Sequence, residues 1–91
     1  MIKMVKVIAL KPVGDHLLCV KFSDDSEGVR DFSDVIAEGG PMVEPLRDPQ
    51  FFAKAFISFG VPSWPNGFDV DAINLHMEME KAGALKSASA A

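Results

Sequence analysis

The stretch HLLCVKFSDDSEGVRDF, residues 16–32, reads as two strands joined by a tight polar reversal. Leu18, Val20 and Phe22 recur at every second position, the period at which strand side chains share one face. Ser23-Asp24-Asp25-Ser26 then favours a turn, because these short polar side chains hydrogen-bond to their own backbone. Glu27–Phe32 alternates again and forms the returning strand. A connection this short can join only antiparallel neighbours.

Upstream, Met4–Leu10 is rich in Val and Ile and has no helix cap, so it reads as a first strand. Lys11-Pro12-Val13-Gly14-Asp15 carries Pro and Gly and is expected to turn the chain into His16. Three strands with short connections predict an antiparallel meander. Downstream, Ser33 is expected to cap a short turn carrying Val35 and Ile36, which Gly39-Gly40-Pro41 stops. Met42–Leu46 is expected to be extended or irregular around Pro45. Asp48 is placed to cap a short helix whose first residue is Pro49, where a missing N–H is harmless. Ala55–Val61 reads as a fourth strand with Ile57 and Phe59 on one face.

Trp64-Pro65-Asn66-Gly67-Phe68-Asp69 follows, with Asn-Gly suited to the positive φ angles of a reversal. The last element is a helix over about Val70–Ala82. Asp69 is expected as its N-cap, with Asp71 in the first turn at the positive end of the helix dipole. Ile73, Met77 and Lys81 fall on one stripe, extended by Leu75 and Met79, and Gly83 ends the helix. The fold class is therefore α+β: an antiparallel sheet of about four or five strands, packed by a C-terminal helix and a short middle helix. Residues 1–83 are expected to form a single domain and 84–91 a disordered tail.

The chain has 91 residues, 48% of them hydrophobic and 24% charged, which fits one folded domain. A domain this small uses its apolar residues for a core and has little room for a deep substrate cavity. Cys19 is the only cysteine, so no internal disulfide forms and a reducing, cytoplasmic setting is expected. No apolar run approaches the roughly 20 residues needed to span a bilayer, and no targeting segment is read at the N-terminus. Net charge is −4 and uneven: +3 over residues 1–22, −6 over 23–48 and −1 over the rest. Nucleic-acid affinity comes largely from basic groups, so the acidic balance disfavours it. A strip of Lys3, Lys6, Lys11 and Lys21 keeps a nucleic-acid-linked regulator as the alternative function.

Three of these runs occur in a telling order: Phe22-Ser23-Asp24-Asp25, Leu46-Arg47-Asp48 with Phe51-Phe52, and Trp64-Pro65-Asn66-Gly67-Phe68-Asp69 before the closing helix. They resemble domain-of-unknown-function family 2442, a small bacterial family. Its members read F-x-D-G, L-x-D…F and W-P-N-G-x-D-[LIV]. The resemblance covers about residues 4–80, and Asp25 stands where the family has its turn glycine. It implies an α+β fold with no established enzymatic activity. It also implies a regulatory or interaction role, since some relatives carry a helix-turn-helix domain and others sit beside a partner gene in toxin–antitoxin-like pairs.

Few residues offer chemistry. His16 and Cys19 are an odd number apart on a strand and so point to opposite faces, while His76 lies on a helix. A zinc site needs three or four converging ligands, and a catalytic thiol needs an adjacent base, so neither a metal, a cofactor nor a catalytic set is expected. Asp24, Asp25, Glu27, Asp31 and Asp34 are either a docking surface for a basic partner or a solvated hairpin tip. Asp69 and Asp71 are better explained by capping than by a metal. Trp64, with Asn66 and Gly67, is either a structural turn or a half-exposed recognition anchor, since Trp is enriched in binding hot spots. The reading expected from sequence is a non-enzymatic protein-interaction module. Candidate partner-binding residues are Trp64, Asn66, Gly67, Asp24, Asp25 and Asp31. A homodimer that buries an uncovered sheet face is also expected to be possible.

Overall fold

A computed structural model describes residues 4–87. Three long strands form the meander: β1 (Val7–Gly14), β2 (Leu17–Phe22) and β3 (Ser26–Asp31). β2 pairs antiparallel with both neighbours, setting Val7 opposite Phe22, Leu10 opposite Val20 and Leu18 opposite Arg30. Leu18, Val20 and Phe22 are fully buried, as their two-residue period implies. The turn expected over Lys11–Asp15 is shorter than the sequence suggests. β1 continues through Pro12 to Gly14, and the reversal falls on Asp15-His16, with His16 at φ +59°. β1 is an edge strand of its sheet, where a residue without an N–H is tolerated.

Next come α1 (Ser33–Glu38), a 3-10 turn at Glu44–Arg47, and α2 (Pro49–Phe52). Ser33 is the first residue of α1 and does not cap it. Asp31 takes that work from one position further out, accepting hydrogen bonds from the Ser33 N–H (2.9 Å) and Oγ (2.6 Å). Asp48 caps α2 as expected, its Oδ1 accepting from the Gln50 N–H at 3.0 Å.

The expected fourth strand over 55–61 is instead a hairpin, β4 (Phe56–Ser58) and β5 (Val61–Ser63), which forms its own two-stranded sheet. Ile57 and Phe59 therefore do not share a strand face. The two-residue loop Phe59-Gly60 needs positive φ at both positions, and the angles are +50° and +77°.

The closing helix, α3, spans Ala72–Lys81. Its cap is Asp71 and not Asp69, because the Asp71 Oδ2 accepts from the Asn74 N–H at 2.9 Å. Asp69 is drawn instead into a backbone bridge with Ser63. With the start shifted, the buried stripe is Ala72, Leu75, His76 and Met79, which follows helical periodicity from the true first residue. Leu75 and Met79 are inward as expected, while Met77 is exposed. Gly83, at φ +70°, ends the helix. The segment expected as a tail from residue 84 adds a short strand, β6 (Lys86–Ser87), antiparallel to β3 at Ser26 and Glu27. The rest of that tail, 88–91, lies outside the described residues, as does Lys3 of the basic strip. The whole is an α+β domain, with strand order β1-β2-β3-β6 in the main sheet.

The core closes on aromatic rings. Phe32, Phe52 and Trp64 are each about 1% exposed, with ring centroids 5.6–6.0 Å apart in tilted and edge-to-face arrangements.

Candidate protein-interaction surface

The residues singled out by the sequence are mostly structural. Trp64 is 1% exposed and its indole N–H donates to the Phe52 carbonyl at 2.9 Å, so it is a core anchor and not the half-exposed recognition residue considered above. Asn66 and Gly67 make the expected reversal. The Trp64 carbonyl accepts from the Gly67 N–H at 3.0 Å, and Gly67 sits at φ +92°. The Asn66 amide donates to the Met42 carbonyl at 2.8 Å, which ties the turn to the loop before the 3-10 turn.

The acidic cluster is also taken up by the fold. Asp24 Oδ1 accepts from the Ser26 N–H (3.0 Å) and Oγ (2.6 Å), while its Oδ2 lies 2.9 Å from His76 Nε2. His76 is 4% exposed, with the Phe22 ring edge-on at 4.9 Å, so this contact bolts α3 to the β2–β3 turn. Asp25 is exposed at φ +70°, a conformation Asp tolerates better than most residues. Asp31 caps α1, and its hydrogen bonds from the Ser33 hydroxyl and N–H hold its carboxyl below the ordinary carboxylate range. His16, Cys19 and His76 do not converge. His16 Nε2 lies 3.0 Å from the Arg47 carbonyl oxygen at one end of β2, and His76 packs on Phe22 at the other.

An open cleft of about 600 Å³ lies between β3 and α3, lined by Val29, Arg30, Asp34, Glu78, Met79 and Ala84. Its one guanidinium is already engaged. Arg30 bonds both Asp34 oxygens at 3.1 Å and Glu78 at 3.3 Å, and it covers the Phe32 ring at 5.1 Å. Burial pulls the Arg30 pKa down, but hydrogen bonds and charge from Asp34 and Glu78 outweigh it and leave the pKa raised. The same guanidinium, chiefly through its hydrogen bonds, holds the Asp34 carboxyl below its ordinary range. With Asp31 and Lys81 also in its lining, the cleft holds an ion-pair network between elements that leaves one carboxylate charge in excess.

The β4–β5 hairpin is different. Phe59 at its apex is fully exposed, and Phe56 and Ile57 beside it are 46% and 38% exposed. Gly60 is held against the start of β1: its carbonyl accepts from the Val7 N–H at 2.8 Å, and a Cβ there would meet Lys6 carbons at 2.9 Å. The segment on which the hairpin rests contributes Met4, 82% exposed, and Ile8, 53% exposed. Five large apolar side chains thus face solvent from two segments in contact. This surface was missed in the sequence because Phe56–Gly60 reads as strand. The available signal was Gly60, since a lone glycine inside a strand pattern marks a break or a close backbone approach.

Geometry therefore defines a small α+β domain with an aromatic-tipped hairpin. No family model, curated protein or solved structure matches the chain. No described helix is long and apolar enough to cross a membrane.

Proposed function

We propose that this chain is a non-enzymatic protein-interaction module that docks a partner through the β4–β5 apex and the adjoining start of β1. The observation that carries this is Phe59. A two-residue hairpin loop with positive φ at both positions favours Asn-Gly or Asp-Gly, and a bulky residue there is rare. Phe59 accepts that conformation, costing about 1–2 kcal/mol for a residue with a Cβ, while its ring touches water on all sides. Nothing in the fold is gained from the ring, and large apolar side chains exposed together on two adjoining segments are the kind of surface that marks an interaction site. Aromatic residues are also enriched at the cores of protein interfaces. The resemblance to family 2442 supports a partner encoded beside this chain, in an antitoxin-like or regulatory pair. The free thiol of Cys19 supports a cytoplasmic setting.

A photo-crosslinking phenylalanine analogue in place of Phe59, expressed in the producing cells, tests this. A discrete adduct at position 59, absent when the analogue replaces Val13 at the far end of β1, is expected. No adduct at 59, or the same adducts at both positions, contradicts the proposal.

A further inference from the structure

We infer that Asn66 is a latent deamidation site which the folded turn holds closed, and that its conversion to a carboxylate releases the loop before the 3-10 turn. The chain has two asparagines, Asn66 and Asn74, and only Asn66 is followed by glycine. With no side chain on the following residue, the backbone nitrogen at 67 meets no steric barrier at the Asn66 amide. In the reaction the Gly67 N–H gives its proton to solvent and the nitrogen bonds to Asn66 Cγ. The Cγ–Nδ2 bond breaks, and the departing nitrogen takes up a proton and leaves as ammonia. Water then opens the cyclic imide at either carbonyl, leaving aspartate or isoaspartate. Nothing but water is consumed.

Gly67 is exposed, so solvent reaches the reacting nitrogen. Hydrogen bonds oppose the step instead. The Gly67 N–H donates to the Trp64 carbonyl at 3.0 Å, a bond that breaks when the proton leaves. Asn66 Nδ2, the leaving group, donates to the Met42 carbonyl at 2.8 Å, while Oδ1 accepts from the Phe68 N–H at 3.3 Å. The amide is thus held at both ends, and the site reacts only in the fraction of molecules whose turn has opened. The product undoes what the amide holds. A carboxylate still accepts from Phe68 but has no proton for the Met42 carbonyl, and sets oxygen against oxygen there. Isoaspartate also lengthens the backbone inside the reversal, which the Trp64 N–H closes on the Phe68 carbonyl at 2.9 Å.

Incubation of the intact chain at mildly alkaline pH, in buffer and in denaturing guanidinium chloride, with peptide mapping by mass spectrometry, tests the lock. In denaturant Asn66 is expected to convert well ahead of Asn74. In buffer Asn66 should convert at least about tenfold more slowly than in denaturant. Conversion in buffer as fast as in denaturant, or faster, overturns the lock. No preference for Asn66 over Asn74 in denaturant overturns the site. Asn66→Asp supplies one product directly. Its amide exchange should quicken at least about threefold at Val43 and Glu44, whose N–H groups bond the Gly40 carbonyl at 3.1 and 3.0 Å, with exchange in β2 unchanged. Unchanged exchange at Val43 and Glu44, or an equal rise in β2, overturns the release of the loop.

Discussion

Two aromatic residues five positions apart, Phe59 and Trp64, have opposite environments. Trp64 is sunk among Phe32, Phe52 and Phe68 and donates its N–H to a carbonyl. Replacing it with Phe leaves the Phe52 carbonyl without that donor and opens a void where the larger ring packed. We expect Trp64→Phe to lower unfolding free energy by about 2 kcal/mol in urea titration, the sum of a lost buried hydrogen bond and a small cavity. Sequence alone could not rank the two residues. Trp and Phe are equally good core formers and equally good contact residues, and it is the Phe59-Gly60 turn, with positive φ at both positions, that puts one of them at an exposed apex. The same limit applies to Asp24. Its role in the turn was legible from Ser23-Asp24-Asp25-Ser26, but its contact with His76 spans 52 residues and has no local signal.

At the scale of elements, short-range chemistry was readable wherever a single side chain does the work. Asp48-Pro49 opened α2, Gly83 closed α3, and Leu18, Val20 and Phe22 faced the core. Readings failed where two neighbouring residues compete for one role. Asp69 and Asp71 are both good caps, and the bridge to Ser63 removes Asp69 from the contest. Asp71→Ala should therefore cost about 1 kcal/mol, while Asp69→Ala stays within about 0.5 kcal/mol of wild type, both by thermal or urea unfolding. The β6 strand rests on another close approach. A Cβ on Gly28 would lie 2.0 Å from the Ala84 carbonyl oxygen. Gly28→Ala should detach Lys86–Ser87 from β3, seen as faster amide exchange at Lys86 with the β1–β2 pairing kept.

The β3–α1–α3 junction also sets an acid response. Asp34 is held below its ordinary pKa by Arg30, so its ionised form favours the folded state. That contribution is complete above the unfolded carboxylate value of about 4 and is lost as pH falls through the lower folded value. Asp31 acts with the same sign through Ser33. Urea midpoints should fall on acidification below about pH 4. Asp34→Asn should start lower at neutral pH and lose part of that slope.

Over the whole molecule, the sheet, the caps and the core are accounted for by folding, and the charge distribution is not. Eight of the thirteen carboxylates fall within residues 23–48, several of them tied into turns and ion pairs, while the hairpin face carries bare apolar side chains beside Lys6. The α+β class was legible because alternation, turn residues and one capped helix suffice to specify it. The interaction face was not, because it joins residues 4–8 to 56–60, a juxtaposition made only by the folded chain. Its account stands on Phe59 serving contact and not stability. The direct measurement is urea unfolding of wild type and Phe59→Asn. Phe59→Asn should equal wild type or exceed it by up to about 1 kcal/mol, since Asn tolerates the left-handed turn. A loss of more than about 1 kcal/mol in the variant contradicts it.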